Sequence, residues 1–260
     1  MKCKILILCL SICLFTSCQE SIVEEQAISE ASEKKKPKPV TDGTLTVTND
    51  ASNTTSEIVM KDGKKNGIAK QFYSNGKIWK EVSYKDGKLD GEAKIYDEEG
   101  RLQRVVNYKE GRNHGKLVKY FKSGNAKVEA EYNDGMPMLG IVERDYRGKD
   151  VKQPEITFEK VDNMFKDNTY SVIFKLNKKA KDVKFYAGES ADFWKPETAL
   201  GVHMIPRDPS NKDQYLINFN VPKGFYLAQQ LHVYATYTSS TGEEAVTYKA
   251  VNIAAENPAY

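Results

Sequence analysis

The sequence predicts an all-β protein: an elongated array of antiparallel β-hairpins with a 24-residue period, followed by a β-sandwich. Three observations predict it. Glycines and aromatics recur 24 residues apart through the first half of the chain. Apolar and polar residues alternate with period two, the strand period, both there and again in the second half. No long helical period appears after the first eighteen residues. The expected organisation is a leader (1–17), a tether (18–41), the hairpin array (42–151) and the sandwich (152–260).

The chain has 260 residues, 40% apolar and 29% charged, enough to bury a core and outside the disordered range. Lys and Arg number 39 against 36 Asp and Glu, a net charge of +3. That balance argues against a dedicated nucleic-acid binder, which carries a strong basic excess. Only three histidines are present, and the four cysteines all lie within the first eighteen residues. A disulfide scaffold and a Cys/His zinc domain are therefore not expected in the body of the protein, and no cofactor is expected.

The leader opens with Lys2 and Lys4, followed by an apolar run from Ile5 to Phe15. That run is shorter than the ~20 residues that span a bilayer and has the length of a signal-peptide core. It ends Leu14-Phe15-Thr16-Ser17-Cys18, which resembles a bacterial lipobox. The resemblance implies cleavage before Cys18, acylation of its thiol, and an envelope lipoprotein held by its acyl chains. Cys3, Cys9 and Cys13 leave with the leader. Gln19 is not the Asp that favours inner-membrane retention, so in a two-membrane cell the outer membrane is expected, on either face. The tether lacks aromatics and runs from acidic (Glu20, Glu24, Glu25) to basic (Lys34-Lys35-Lys36-Pro37-Lys38). It reads as a solvated spacer.

The array is legible slot by slot. Gly63, Gly87, Gly111 and Gly135 form one series, and Gly43, Gly67, Gly91 and Gly115 a second. Gly76, Gly100, Gly124 and Gly148 form a third, with Tyr84, Tyr108, Tyr132 and Phe72, Tyr96, Tyr120 in the same phase. Asn75-Gly76, Glu99-Gly100 and Ser123-Gly124 are hairpin turns, where glycine accepts positive φ without penalty. Asp62-Gly63, Asp86-Gly87 and Asp134-Gly135 are the connecting turns. Between them Ile78, Lys80, Val82 and Tyr84 alternate with Trp79, Glu81 and Ser83. One hairpin cannot bury its aromatic row alone, so neighbours must stack into an elongated twisted sheet. Residues 44–60 read as a worn first repeat and 135–151 as a partial capping unit, with Pro137 breaking the usual connection. These motifs resemble MORN-type repeats, in particular the variant of the YwqK (toxin–antitoxin antitoxin) family. The resemblance covers about residues 42–151 and implies a hairpin array that binds partners. No catalytic residues travel with it.

After residue 152 the glycines thin out. Ile156–Val161, Thr169–Leu176, Val183–Phe185, Val202–Ile205, Tyr215–Val221, Leu231–Tyr237 and Ala245–Ile253 read as six or seven strands, the spacing of an immunoglobulin-like or fibronectin-III-like sandwich. Gly188–Asp213 is a long connection carrying Phe193-Trp194, which is either a sugar- or cation-stacking platform or a plug for one end of the sandwich.

No nucleophile elbow, zincin helix, Walker loop or dinucleotide glycine run is present, and a non-enzymatic protein is expected. His114 occupies a slot that holds Asn66 and Asp90 in the preceding repeats, each followed by glycine, and is read as structural. His232 and Tyr234 are expected to share an outer strand face. Trp79 has Gln103 and Lys127 as its repeat equivalents, so its slot faces solvent. The candidate binding residues are thus Trp79, Phe193 and Trp194, with Cys18 as the lipidation site. The expected function is binding or scaffolding of a protein partner through the hairpin face. The rivals are an immunity or antitoxin-like role against a toxic partner, glycan binding through Trp194, and a hydrolase hidden in the sandwich.

Overall fold

The computed structural model describes residues 41–49, 54–188 and 202–259; Cys18, Phe193 and Trp194 lie outside them. Among these residues there are three antiparallel sheets and one short helix.

The large sheet is the array. Its strands are β1 (Gly43–Asn49), β2 (Thr54–Lys61), β3 (Lys64–Lys65), β4 (Gly67–Phe72), β5 (Ile78–Lys85), β6 (Lys88–Tyr96), β7 (Leu102–Lys109), β8 (Arg112–Tyr120), β9 (Ala126–Asn133), β10 (Met136–Pro137), β11 (Val142–Arg144) and β12 (Asp150–Val151). They pair in chain order from β1 to β12, with β3 beside β2 and β10 beside β9 as short side branches.

Two turn types alternate. On one edge Asp62, Asp86, Glu110 and Asp134 precede glycine, and both residues of each pair have positive φ, the two-residue type I′ geometry that matches strand twist. On the other edge Gly76 N–H donates to Tyr73 O and Tyr73 N–H to Lys77 O, a three-residue turn closed by a glycine bulge; Asp97–Arg101, Phe121–Asn125 and Asp145–Lys149 repeat it. Successive units are also tied turn to turn. Gly87 N–H donates to Lys65 O, Gly111 N–H to Leu89 O and Gly135 N–H to Asn113 O. Asp42, Asp90 and His114 each accept from the backbone N–H of the next unit's turn, twenty residues on. The slot that holds His114 is therefore a turn cap, and His114 Nδ1 fills it as acceptor. The strands also carry periodic bulges. Val82 pairs with Ala93 but Tyr84 with Leu89, so two residues of β5 step against four of β6, and β7–β8 repeats the shift. Bulges of this kind increase the twist.

Register separates the two faces. Val82, Ala93, Val106, Leu117 and Ala130 lie opposite one another in one row across β5–β9. Lys80, Ile95, Arg104, Lys119 and Val128 form the adjacent row on the same face. Every buried residue of β5–β9 belongs to this face, with Tyr132 at its end. The aromatic row Phe72, Tyr96, Tyr120, which the repeat pattern suggested as the row buried by stacking, is only half-buried on the opposite face. The row that disappears is the small aliphatic one, and from Val106 onward it is the face on which the sandwich packs.

The remaining strands are β13 (Ile156–Asn163), β14 (Thr169–Leu176), β15 (Lys181–Gly188), β16 (His203–Ile205), β17 (Tyr215–Asn220), β18 (Phe225–Thr238) and β19 (Glu244–Asn257). A four-residue helix, α1 (Met164–Asp167), sits between β13 and β14. One sheet runs β13-β14-β17 and the other β16-β15-β18-β19. The fifth strand of this half returns to the second and the sixth to the third, the crossed order of an immunoglobulin- or fibronectin-III-like sandwich. Val172, Phe174, Phe185, Val233 and Val251 fill the space between the sheets, all within 1% of full burial. His232 and Tyr234 do lie on the outer face of β18. There Tyr234 is fully buried, 5.0 Å from the Tyr248 ring, and Tyr248 Oη lies 2.7 Å from His232 Nδ1.

Array and sandwich share a core. Val106, Leu117, Val128, Ala130, Tyr132 and Ile141 of the array pack with Tyr237 and Ala245 of the sandwich. Leu176 and Val183 touch both this cluster and the sandwich core, so the two are continuous.

Candidate partner-binding surface

The geometry that orients the array is a clasp at the tip of the β18–β19 hairpin. Ser239–Glu243 forms the same glycine-bulge turn as the array hairpins: Gly242 N–H donates to Ser239 O and Ser239 N–H to Glu243 O. This turn inserts against the covered face of β7–β11. Glu143, 2% exposed, accepts from Thr241 N–H (3.0 Å), Ser240 Oγ (3.0 Å), Gln153 Nε2 (3.1 Å) and the Thr241 hydroxyl. Burial opposes its charge, but these donors outweigh burial and hold the carboxyl below the usual glutamate range. Beside it Glu243, 7% exposed, pairs with Lys119 Nζ and accepts from Tyr132 Oη at 3.3 Å, with an Arg104 Nη at 3.8 Å. Lys119 Nζ also donates to Thr241 O. Tyr237 donates to Gln153, and burial first, then the Glu143 charge, pushes its phenol up to about 12.

The clasp has no pattern visible in the sequence. Glu143 occurs once, in a three-residue strand, and Ser239-Ser240-Thr241-Gly242 reads as an ordinary turn. The carboxylate oxygens of Glu143 are occupied by structural donors, which leaves no free base there. A cleft of about 450 Å³ opens beside it, rimmed by Lys152, Lys178, Lys179 and Lys181.

With one face occupied over β7–β11, the opposite face is the broader open surface of the array. Glu57, Lys70, Glu81 and Lys94 lie directly across from one another on β2, β4, β5 and β6. Lys70 Nζ reaches Glu81 at 3.8 Å, and Tyr96 Oη donates to Glu81 at 3.0 Å. The row continues through half-buried Val105 and Val118 to Glu129, which Arg144 pairs. None of the residues of β5–β9 on this face is buried. Trp79 shares it by strand alternation with Glu81. Its side chain is 41% exposed, and its ring rests 6.2 Å from that of Tyr73. Tyr73 is itself fixed by donating to Tyr96 O at 2.7 Å. The arrangement offers a braced indole, tyrosine rings and alternating charges at fixed strand spacing. That suits protein recognition, in which anchored aromatics supply most of the binding energy. Of the residues singled out from the sequence, Trp79 is thus on this face; Phe193, Trp194 and Cys18 lie outside the described residues.

No curated protein matches the chain. A family model does: residues 65–86 and 89–110 each match a MORN repeat variant. The two matches run from β3 to the β7–β8 turn, the part of the sheet that carries Trp79 and the charge ladder. MORN repeats suggest a binding or scaffolding role, and it is the central hairpins of this array that match that variant.

Proposed function

We propose that the protein is a non-enzymatic scaffold that binds a protein partner on the open face of its array, with the sandwich serving as a rigid buttress. The observation that carries the reading is the division of faces. The shared core and the clasp cover one face over β7–β11, while on the other face no residue of β5–β9 is buried, and Trp79 and the charge ladder lie on it. We further propose that Cys18 is acylated and that the tether holds the body away from an envelope membrane. The lipobox-like Leu14–Cys18 segment supports that reading.

The test is an in-cell crosslinking pull-down of the full-length protein beside Trp79→Ala and Cys18→Ala, with labelled palmitate fed to the cells. A protein partner recovered with the parent, lost with Trp79→Ala and reduced with Cys18→Ala is the expected result. Palmitate label must depend on Cys18. A partner retained fully by Trp79→Ala would remove the open face from the reading. A single small partner that is toxic when expressed alone would replace the scaffold by an immunity role.

A further inference from the structure

The two ends of the array are finished differently. At the β12 end the strands shorten to three and two residues, Asp150 lies on the edge strand, and the sandwich packs alongside. These are ordinary ways of blunting a sheet edge. At the β1 end the edge strand is seven residues long and reads Gly-Thr-Leu-Thr-Val-Thr-Asn, with no charge, no proline and no bulge in its pairing to β2. Among the described residues β1 pairs only with β2, so its other edge presents unpaired backbone groups. Thr44, Thr46 and Thr48 are exposed, and Val47 is 45% exposed.

The strand is also a near-palindrome. We propose that β1 is a self-association edge that pairs antiparallel with β1 of a second copy about a two-fold axis at Thr46. In that register Thr44, Thr46 and Thr48 face Thr48, Thr46 and Thr44 of the partner copy on one side of the sheet. On the other side Leu45 faces Val47 and Val47 faces Leu45. Leu45 already lies across from Ile58 and Val47 from Ser56. Pairing therefore sets two Leu45–Val47–Ile58 patches side by side and removes them from water. A one-residue slip would set threonine against leucine or valine, and a two-residue slip would keep threonine against threonine but set Val47 against Gly43 or Leu45 against Asn49, so only the register centred on Thr46 pairs both apolar residues. The product is an isologous dimer, closed by symmetry, with one sheet running through both arrays and a sandwich at each far end.

The test uses the full chain in mild detergent with Cys3, Cys9, Cys13 and Cys18 changed to Ser, so that an introduced thiol stands alone. Sedimentation should show a concentration-dependent shift from 29.4 kDa to twice that mass. Thr46→Lys sets two ammonium groups opposite each other on the axis and should abolish the dimer, with circular dichroism unchanged and a thermal midpoint equal to the parent's at dilutions where the parent is monomeric, because Thr46 is exposed. Thr46→Cys should form an intermolecular disulfide on mild oxidation. Thr48→Cys should not, since its partner copy lies four residues along the strand, about 13 Å away. A monomer at every concentration, a dimer indifferent to Thr46→Lys, or equal crosslinking through positions 46 and 48 would each overturn the proposal. So would a dimer that forms only after residues 19–39 are deleted, because the chain's own tether would then be the occupant of the edge.

Discussion

Replacing Glu143 by Ala should loosen the sandwich from the array, and the size of the effect follows from its four donors. Ser240 is exposed and Gln153 half-exposed, so water replaces the carboxylate for both. Thr241, half-exposed like Gln153, loses two bonds at once, one from its N–H and one from its hydroxyl. A hydrogen bond to a charged group contributes about 1.5–3 kcal/mol, and the released desolvation cost of the carboxylate offsets part of the sum, so a loss of about 3 kcal/mol is expected. Glu143→Gln keeps one acceptor oxygen and should cost about half as much. The assay is urea unfolding followed by circular dichroism, run as a double-mutant cycle with Thr241→Val. The expected coupling is about 1.5–3 kcal/mol. A Glu143→Ala cost below about 0.5 kcal/mol, the range of ordinary surface changes, would refute the reasoning. So would additivity in the cycle. The same site sets an acid limit. The folded carboxyl titrates below its ordinary 4.5, so its contribution is complete above that pH and is lost as pH falls through the lower folded value. Glu143→Gln should flatten that acid limb.

Three further outcomes bear on the array. Leu117 is fully buried in the shared core, so Leu117→Ala should cost about 3–4 kcal/mol by urea denaturation, whereas Ile68→Ala, at a side chain 52% exposed, should cost under about 1 kcal/mol. Gly91 has φ +99°, and a Cβ there would lie 3.1 Å from Ser83 Cβ on the neighbouring strand. Gly91→Ala should therefore cost about 2–3 kcal/mol, against about 1 kcal/mol for Gly111→Ala, whose added Cβ meets nothing within 4 Å, both read from thermal midpoints. Glu110 occupies a positive-φ turn position at 49°, so Glu110→Asn should raise stability by about 0.5–1 kcal/mol in the same assay.

The repeat was legible because each of its parts answers to a local rule. A type I′ turn needs two residues at positive φ, a glycine bulge closes the other turn, and alternation separates Val82 from Trp79. Those rules set the phase of the array without any tertiary information. The sandwich strands were legible for the same reason, since Tyr170, Val172, Phe174 and Leu176 alternate cleanly. What alternation leaves open is which face is covered. The aromatic row Phe72, Tyr96, Tyr120 has the larger apolar area, yet the sandwich packs on Val106, Leu117 and Ala130 of the aliphatic row. That choice is made by the clasp, where Thr241 and Glu143 meet across 98 positions of sequence. A contact of that separation that occurs once has no period to betray it. Glu143 is one acid among 36 acidic residues until the Thr241 turn closes over it.

The open-face assignment is tested most directly by a photo-crosslinking amino acid placed in turn at positions 79, 94 and 80 of the full-length protein in living cells. Positions 79 and 94 lie on the open face and position 80 on the opposite one, the face that the sandwich covers further along the array. Adducts to the same partner from 79 and 94, and none from 80, are expected. Adducts from 80 alone, or equally from all three, would contradict the division of faces on which the functional reading rests.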